Sequence, residues 1–274
     1  MSAPYFHLLG HIFLASDACE RNSSLASAME KAGFGKDKIA QGMKLAKNGE
    51  QLIARKGEAV GEDRIYEHNL HKAASEVEMW RSTASFRLKK AIDDQALIKK
   101  TMGKDIHAHD HTVTIVAQSL RTIAMIRAEA KLHEPLSEGG SVEDLIIRGW
   151  VLLNKVYRNG QVLMAPGAAG DPDNAIFEEI AEQQAAMLAW IAELGQAAEK
   201  LKGQPALIGE LGYVPAGVGL PLGGTSYAVP LHEKAQRADL PDMDDLRPDP
   251  GWSAGRQGRN RENLGKGWVK PSFE

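Results

Sequence analysis

The chain of 274 residues holds a single cysteine, Cys19, which excludes both an intrachain disulfide framework and a cysteine-only metal site. Aromatic residues are scarce at 6%, so core packing falls to Leu, Ile, Val, Ala and Met, an inventory that suits helices. No segment reaches the roughly 20 consecutive apolar residues needed to span a bilayer. The apolar opening "MSAPYFHLLGHIFLASDACERN" lacks the basic start of a secretory signal. An excess of one charge is missing too. The 33 basic and 36 acidic residues leave a formal charge of -3, which speaks against nucleic acid or an anionic membrane as a partner. A soluble, cytoplasmic protein without a membrane partner is expected.

What is present is helical patterning. Asn22, Ser23 and Ser24 offer caps for a short helix through Lys31, stopped by the "AGFG" glycines. The stretch "KDKIAQGMKLAKNGEQLIARKG" carries Ile39, Met43, Ala46, Leu52 and Ile53 near helical spacing. Its interior glycines, Gly42 and Gly49, each cost about 1 kcal/mol unless a neighbour packs into the missing side chain. From Glu62 to Met102, the residues Ile65, Leu70, Ala73, Val77, Trp80, Ala84, Leu88, Ile92 and Leu97 trace one apolar stripe. Unbroken over about 35 residues, such a helix runs for about 50 Å. A third helix is expected from near Asp110 to before Pro135. A fourth begins after Ser141, a candidate cap, and an alanine-rich fifth spans 175–201 after the Pro/Gly stretch "MAPGAAGDPDN".

One internal comparison points to duplication. "KDKIAQGMKL" at 36–45 aligns without gaps to "EDLIIRGWVL" at 143–152, matching Asp37 with Asp144, Ile39 with Ile146, Gly42 with Gly149 and Leu45 with Leu152. Each stretch follows a glycine break and precedes another helix, the pattern of two related hairpins in one bundle. The expected fold is therefore all-α: an elongated bundle of four or five main helices over 22–202, an N-terminal segment 1–21, and an irregular arm over 203–274. Glycine and proline interrupt that arm throughout, yet it keeps apolar anchors, among them Tyr213, Tyr227, Trp252, Trp268 and Phe273. Anchors that dense suit a contact, within the bundle or with another subunit or protein partner.

The richest chemical stretch is "DIHAHDHTV", residues 105–113, with three of the nine histidines. In a helix starting before Asp105, His107 and His111 share a face, and Glu67 with His71 repeats the four-residue spacing on the preceding helix. Together these four form a candidate site for zinc, iron or nickel between helices. Glu129 with His133 adds a similar pair. The pattern differs from the Glu-x-x-His of two-iron bundles and from His-Glu-x-x-His. The competing reading makes Asp105 or Asp110 a helix cap and the histidines its polar first turn.

Other signatures are wanting. "GYVPAGVGLPLGG" lacks the lysine and flanking elements of a phosphate loop, and "GGTSYAV" lacks a nucleophile elbow. The basic stretch "GRQGRNRENLGKGWVK" suits a solvated tail better than a nucleic-acid contact, because the rest of the chain is mildly acidic. The expected role is non-enzymatic self-assembly without a cofactor: a structural or scaffold homo-oligomer built through the helical surface and the arm. A metal-binding or redox bundle and a protein or nucleic-acid adaptor are the alternatives.

Overall fold

A computed structural model describes residues 4–60, 65–164 and 174–213. Helix accounts for 84% of them with no strand, so the protein is all-α. All of these residues belong to one compact unit, Met1–His232. The expected arm, apart from its first residues, lies outside the described residues.

The first helix, α1 (Tyr5–Arg21), follows Pro4, whose fixed φ suits a helix entry. Residues 5–19 are all buried, including His7, His11 and Asp17. No charged side chain occurs before Asp17, so this helix has no face that prefers water and settles in the middle of its neighbours. The apolar opening of the chain is thus a central core element. Asn22 ends α1 and starts α2 (Ser23–Lys31), its Oδ1 accepting from the Ser24 and Leu25 amides at 3.1 Å. Gly33 then takes φ 92°, a conformation that only glycine adopts cheaply, and stops α2.

Two long helices follow, α3 (Lys36–Val60) and α4 (Ile65–Ala91). The single helix expected over 62–102 is broken. After Ala91 the chain leaves the helix, and the Asp94 side chain accepts from the Leu97 amide at 2.9 Å to start α5 (Gln95–Met102), which Gly103 closes at φ 58°. Two adjacent aspartates, 93 and 94, explain the break, since Asp caps a new helix more readily than it continues an old one. The bend lets α5 pack against α4 and α6 (His111–Ala128). A 3₁₀ turn, Ala130–Leu132, and short α7 (His133–Ser137) lead to α8 (Val142–Met164), α9 (Asn174–Glu199) and α10 (Pro205–Glu210).

The glycines of the repeated stretch have matching partners. Gly42 of α3 lies against the indole of Trp190 on α9, where a Cβ would stand 2.5 Å from Cζ2. Gly149 of α8 lies against the indole of Trp80 on α4, where a Cβ would stand 2.8 Å from Cε2. The Trp190 Nε1 donates to the Lys38 carbonyl at 2.7 Å, and the Trp80 Nε1 donates to the Leu145 carbonyl at 2.9 Å. Lys38 and Leu145 are 107 positions apart, as are Gly42 and Gly149, and as are Gly33 and Gly140, both with positive φ. The tryptophans are 110 apart, and so are the "ALI" triplets at 96–98 in α5 and 206–208 in α10.

Packing follows the same scheme. Helix α3 lies along α9 and α8 along α4, so each hairpin's first helix packs on the other hairpin's second. Helices α1 and α6 cross at Gly10, which faces Val116 and the backbone of Ala117, again 107 positions on. The absent side chains at 42 and 149 let an indole reach the helix backbone. That contact opposes the roughly 1 kcal/mol that each mid-helix glycine costs.

Candidate functional site

The histidine stretch is a loop followed by a cap. Helix α6 begins only at His111, and Asp110 caps it, its Oδ1 accepting from the Val113 amide at 2.9 Å. The Asp110 amide donates in turn to Glu50 Oε1 at 2.8 Å. Ile106 is the loop's buried anchor, and its carbonyl accepts from Gln118 Nε2 at 2.7 Å. His107 therefore lies outside the helix, on no common face with His111, and both side chains are exposed.

His111 meets α4 at Glu78, Nε2 to Oε1 3.6 Å. Glu67 and His71 share α4, but Glu78 lies seven residues beyond His71 and eleven beyond Glu67, about 10 and 16 Å along the helix axis. Of the four proposed metal ligands, Glu67 and His71 lie one turn apart on α4, His107 lies in the loop and His111 opens α6. Among the described residues, no three or more His, Cys, Asp or Glu side chains gather in a way that would hold a metal ion. His133 serves another purpose: its Nε2 donates to the Ile126 carbonyl at 2.8 Å, closing the end of α6.

His7 and His11, which repeat the four-residue spacing outside the four candidate ligands, are buried. On α1, His7 Nδ1 lies 3.1 Å from the Tyr157 hydroxyl, and the rings of His7 and His11 are 6.0 Å apart. His11 Nε2 donates to the Leu211 carbonyl at 3.1 Å, which leaves its Nδ1 a bare acceptor with no partner among the described residues. Burial drives the His11 pKa down to about 3, the neighbouring His7 pushes the same way, and the Leu211 carbonyl opposes them. The imidazole is thus neutral, a polar seam that ties α1 to α8 and to the end of α10. Burial also pushes the Cys19 thiol up to about 12, with Glu210 and Glu20 adding to it, so this thiol is no nucleophile at neutral pH.

Tyr213, one of the expected interface anchors, is buried against α9, its hydroxyl donating to Glu199 Oε1 at 3.2 Å. Burial and then the Glu199 charge push that phenol up to about 12. Tyr227, Trp252, Trp268 and Phe273 lie outside the described residues.

Among the described residues three large apolar side chains are exposed, Val162 on α8 and two on α4. Met79 is 65% exposed and Phe86 69%, both on α4. At 100° per residue they lie about 180° around the helix from the buried stripe of Val77, Ala84 and Leu88. Ser75, Ser82 and Thr83 are exposed beside them, so the centre of this face carries no charge. The signal was in the sequence: two large apolar residues seven apart on the side of α4 that water should own. Among the described residues no helix is long and apolar enough to cross a membrane. Comparison of the chain with known protein families, with curated proteins and with solved structures returns no significant match in any of the three.

Proposed function

We propose that this protein is a structural module made of a five-helix unit used twice, and that it assembles with copies of itself through the exposed face of α4. Glycines recurring 107 positions apart, two Trp-on-Gly contacts and the paired "ALI" helices support the duplication. The carrying observation for assembly is the uncovered pair Met79 and Phe86. Large apolar side chains that no described helix covers, set on an uncharged strip, are what a contact with another chain needs.

Charge placement favours a second copy in antiparallel orientation. A twofold axis passing between Ser82 and Thr83 sets Met79 of one copy on Phe86 of the other. Glu76 and Glu78 precede this axis, while Arg87, Lys89 and Lys90 follow it. Antiparallel pairing brings Glu78 toward the exposed Lys89 of the second copy, whereas parallel pairing sets like charges together; on the other flank Glu76 holds Lys155 and Arg87 holds the Leu136 and Gly140 carbonyls of its own chain. A single helix pair buries less than the roughly 1,200 Å² of a standard interface, so a concentration-dependent equilibrium is expected, strengthened where a further contact from the C-terminal arm adds to it.

Sedimentation velocity over a concentration series tests this reading. Wild-type protein is expected to shift to a heavier species as concentration rises, and Phe86→Glu to stay at the mass of one chain with unchanged helix content. A wild-type chain that remains monomeric throughout, or a Phe86→Glu chain that associates equally well, overturns it.

A further inference from the structure

Two joints of the fold are built alike and differ in one chemical respect. Past the end of α5, Gly103 turns the chain at φ 58° and lies against Gln118 of α6, whose Nε2 donates to the Ile106 carbonyl at 2.7 Å. Past the end of α10, Gly212 turns the chain at φ 70° and lies against His11 of α1, whose Nε2 donates to the Leu211 carbonyl at 3.1 Å. His11 and Gln118 are 107 positions apart, the spacing of the other repeated pairs, and both are buried. One joint is thus held by an amide that gains no proton, and the other by an imidazole that titrates.

The neutral imidazole belongs to the closed joint. Protonation would place a second N–H on Nδ1, which is buried without a partner among the described residues. It would also place a charge one turn from His7, whose ring is 6.0 Å away and whose Nδ1 lies 3.1 Å from the Tyr157 hydroxyl of α8. An unmet buried donor and an unpaired buried charge both oppose that state. No carboxylate relieves it. Glu210, the residue before Leu211, is taken up by Lys100 at 2.5 Å and by the Asn22 amide, and faces Arg121 of α6. Among the described residues, α2, α3, α6 and α9 supply no charge that acts on His11. Release of Leu211 and Gly212 uncovers the Nε2 edge of the ring, and water then accepts the charge.

We propose that His11 makes the α10 joint an acid-opened latch, which undocks the end of α10 from α1 in mild acid while the α5 joint stays closed. Opening frees the segment that leads into the C-terminal arm. Burial first, and His7 next, hold closed His11 down to about 3, whereas released His11 titrates at its ordinary 6.5. The joint is therefore at full strength above pH 6.5 and weakens by about tenfold for each unit below it, down to 3. Between pH 7.5 and 5 the ratio of open to closed rises about thirtyfold. Gln118 contributes no such change at the other joint. The inference stands on the two joints and does not depend on association through α4.

Hydrogen exchange of the full chain at pH 7.5 and 5, read by mass spectrometry and corrected for the intrinsic pH dependence of amide exchange, tests the latch. The reporters are the bonded amides of Leu211, Gly212 and Tyr213 at one joint and of Ile106 at the other. Protection over 211–213 is expected to fall about thirtyfold at pH 5, and protection at Ile106 to hold. His11→Gln installs the side chain of the duplicate joint, so its protection over 211–213 should be the same at both pH values. Wild-type protection over 211–213 that does not fall in acid, or that falls as far in His11→Gln, overturns the proposal. An equal fall at both wild-type joints overturns it as well, and that comparison decides the matter even where His11→Gln fails to fold.

Discussion

Substituting Gly149 by Ala sets two effects of known sign against each other. On an exposed helix the change stabilises by about 1 kcal/mol, because alanine loses less backbone freedom. Here the new methyl would press on the Trp80 indole, within 2.8 Å of both Cε2 and Cη2. The ring cannot turn away freely, since its Nε1 bonds the Leu145 carbonyl at 2.9 Å and Trp80 is 3% exposed. Overpacking costs about 1 to 3 kcal/mol, and losing the indole hydrogen bond from a buried carbonyl adds about 1 to 3 kcal/mol. A net loss of about 1 to 5 kcal/mol follows, with Tm falling about 2 to 4 °C for each kcal/mol. Gly42→Ala should behave alike, meeting the Trp190 indole and the Ser16 hydroxyl. Gly57→Ala on α3 is the control, for its Cβ would meet only Glu67 Oε1 at 3.5 Å, an ordinary contact, and a gain of up to about 1 kcal/mol is expected. Urea titration followed by far-ultraviolet circular dichroism measures all three. If Gly149→Ala matches or exceeds the wild type, the indole does not rest on that backbone.

Three further outcomes follow from the same structure. Unfolded His11 titrates at its ordinary 6.5 and folded His11 at about 3, so between these values the unfolded chain binds a proton that the folded chain refuses. Its contribution is complete above pH 6.5 and is lost as pH falls toward 3, about 2 kcal/mol by pH 5; urea titrations at pH 7.5 and 5 should show a smaller acid loss in His11→Gln than in the wild type. Asp94→Ala removes the cap of α5 and should cost about 1 kcal/mol by the same titration, with no change if α5 starts without that carboxylate. Deleting residues 214–274 should lower the number of chains in the largest species in native mass spectrometry while the α4 pair persists, and an unchanged number of chains removes the arm from the assembly.

Local signals were legible in the sequence and long-range ones were not. Asn22, Asp110 and Ser141 are caps by residue type and position, and the last accepts from the Asp144 amide at 3.1 Å. The match of Gly42 with Gly149 was readable as a repeat, but its meaning depends on Trp190 and Trp80, which no local pattern assigns to those glycines. The paired aspartates at 93 and 94 were a readable stop that the continuing apolar stripe masked. Periodicity fails for α1, because a helix buried on every side shows no contrast between faces. The histidines misdirected attention for a related reason: their four-residue spacing suggests a shared face only if a helix is already there, and Asp110 starts it too late. Polar contacts that join α1, α5 and α6 to α10 run through pairs such as Asn22 with Glu210, 188 positions apart, and Lys100 with Glu210, beyond any spacing rule.

The most direct test of assembly through α4 uses the chain's cysteine content. Cys19 is buried and is the one native cysteine, so Thr83→Cys introduces a single reactive surface thiol. At the proposed axis, two facing helices about 8 to 10 Å apart bring this position and its counterpart near the separation a disulfide spans. Ser75→Cys, on the same face but away from the axis, sets its thiols about 22 Å apart along the helix direction. Mild oxidation followed by non-reducing electrophoresis should give a covalent dimer for Thr83→Cys and little for Ser75→Cys. A Thr83→Cys chain that stays monomeric, or equal cross-linking at both positions, contradicts the antiparallel α4 contact.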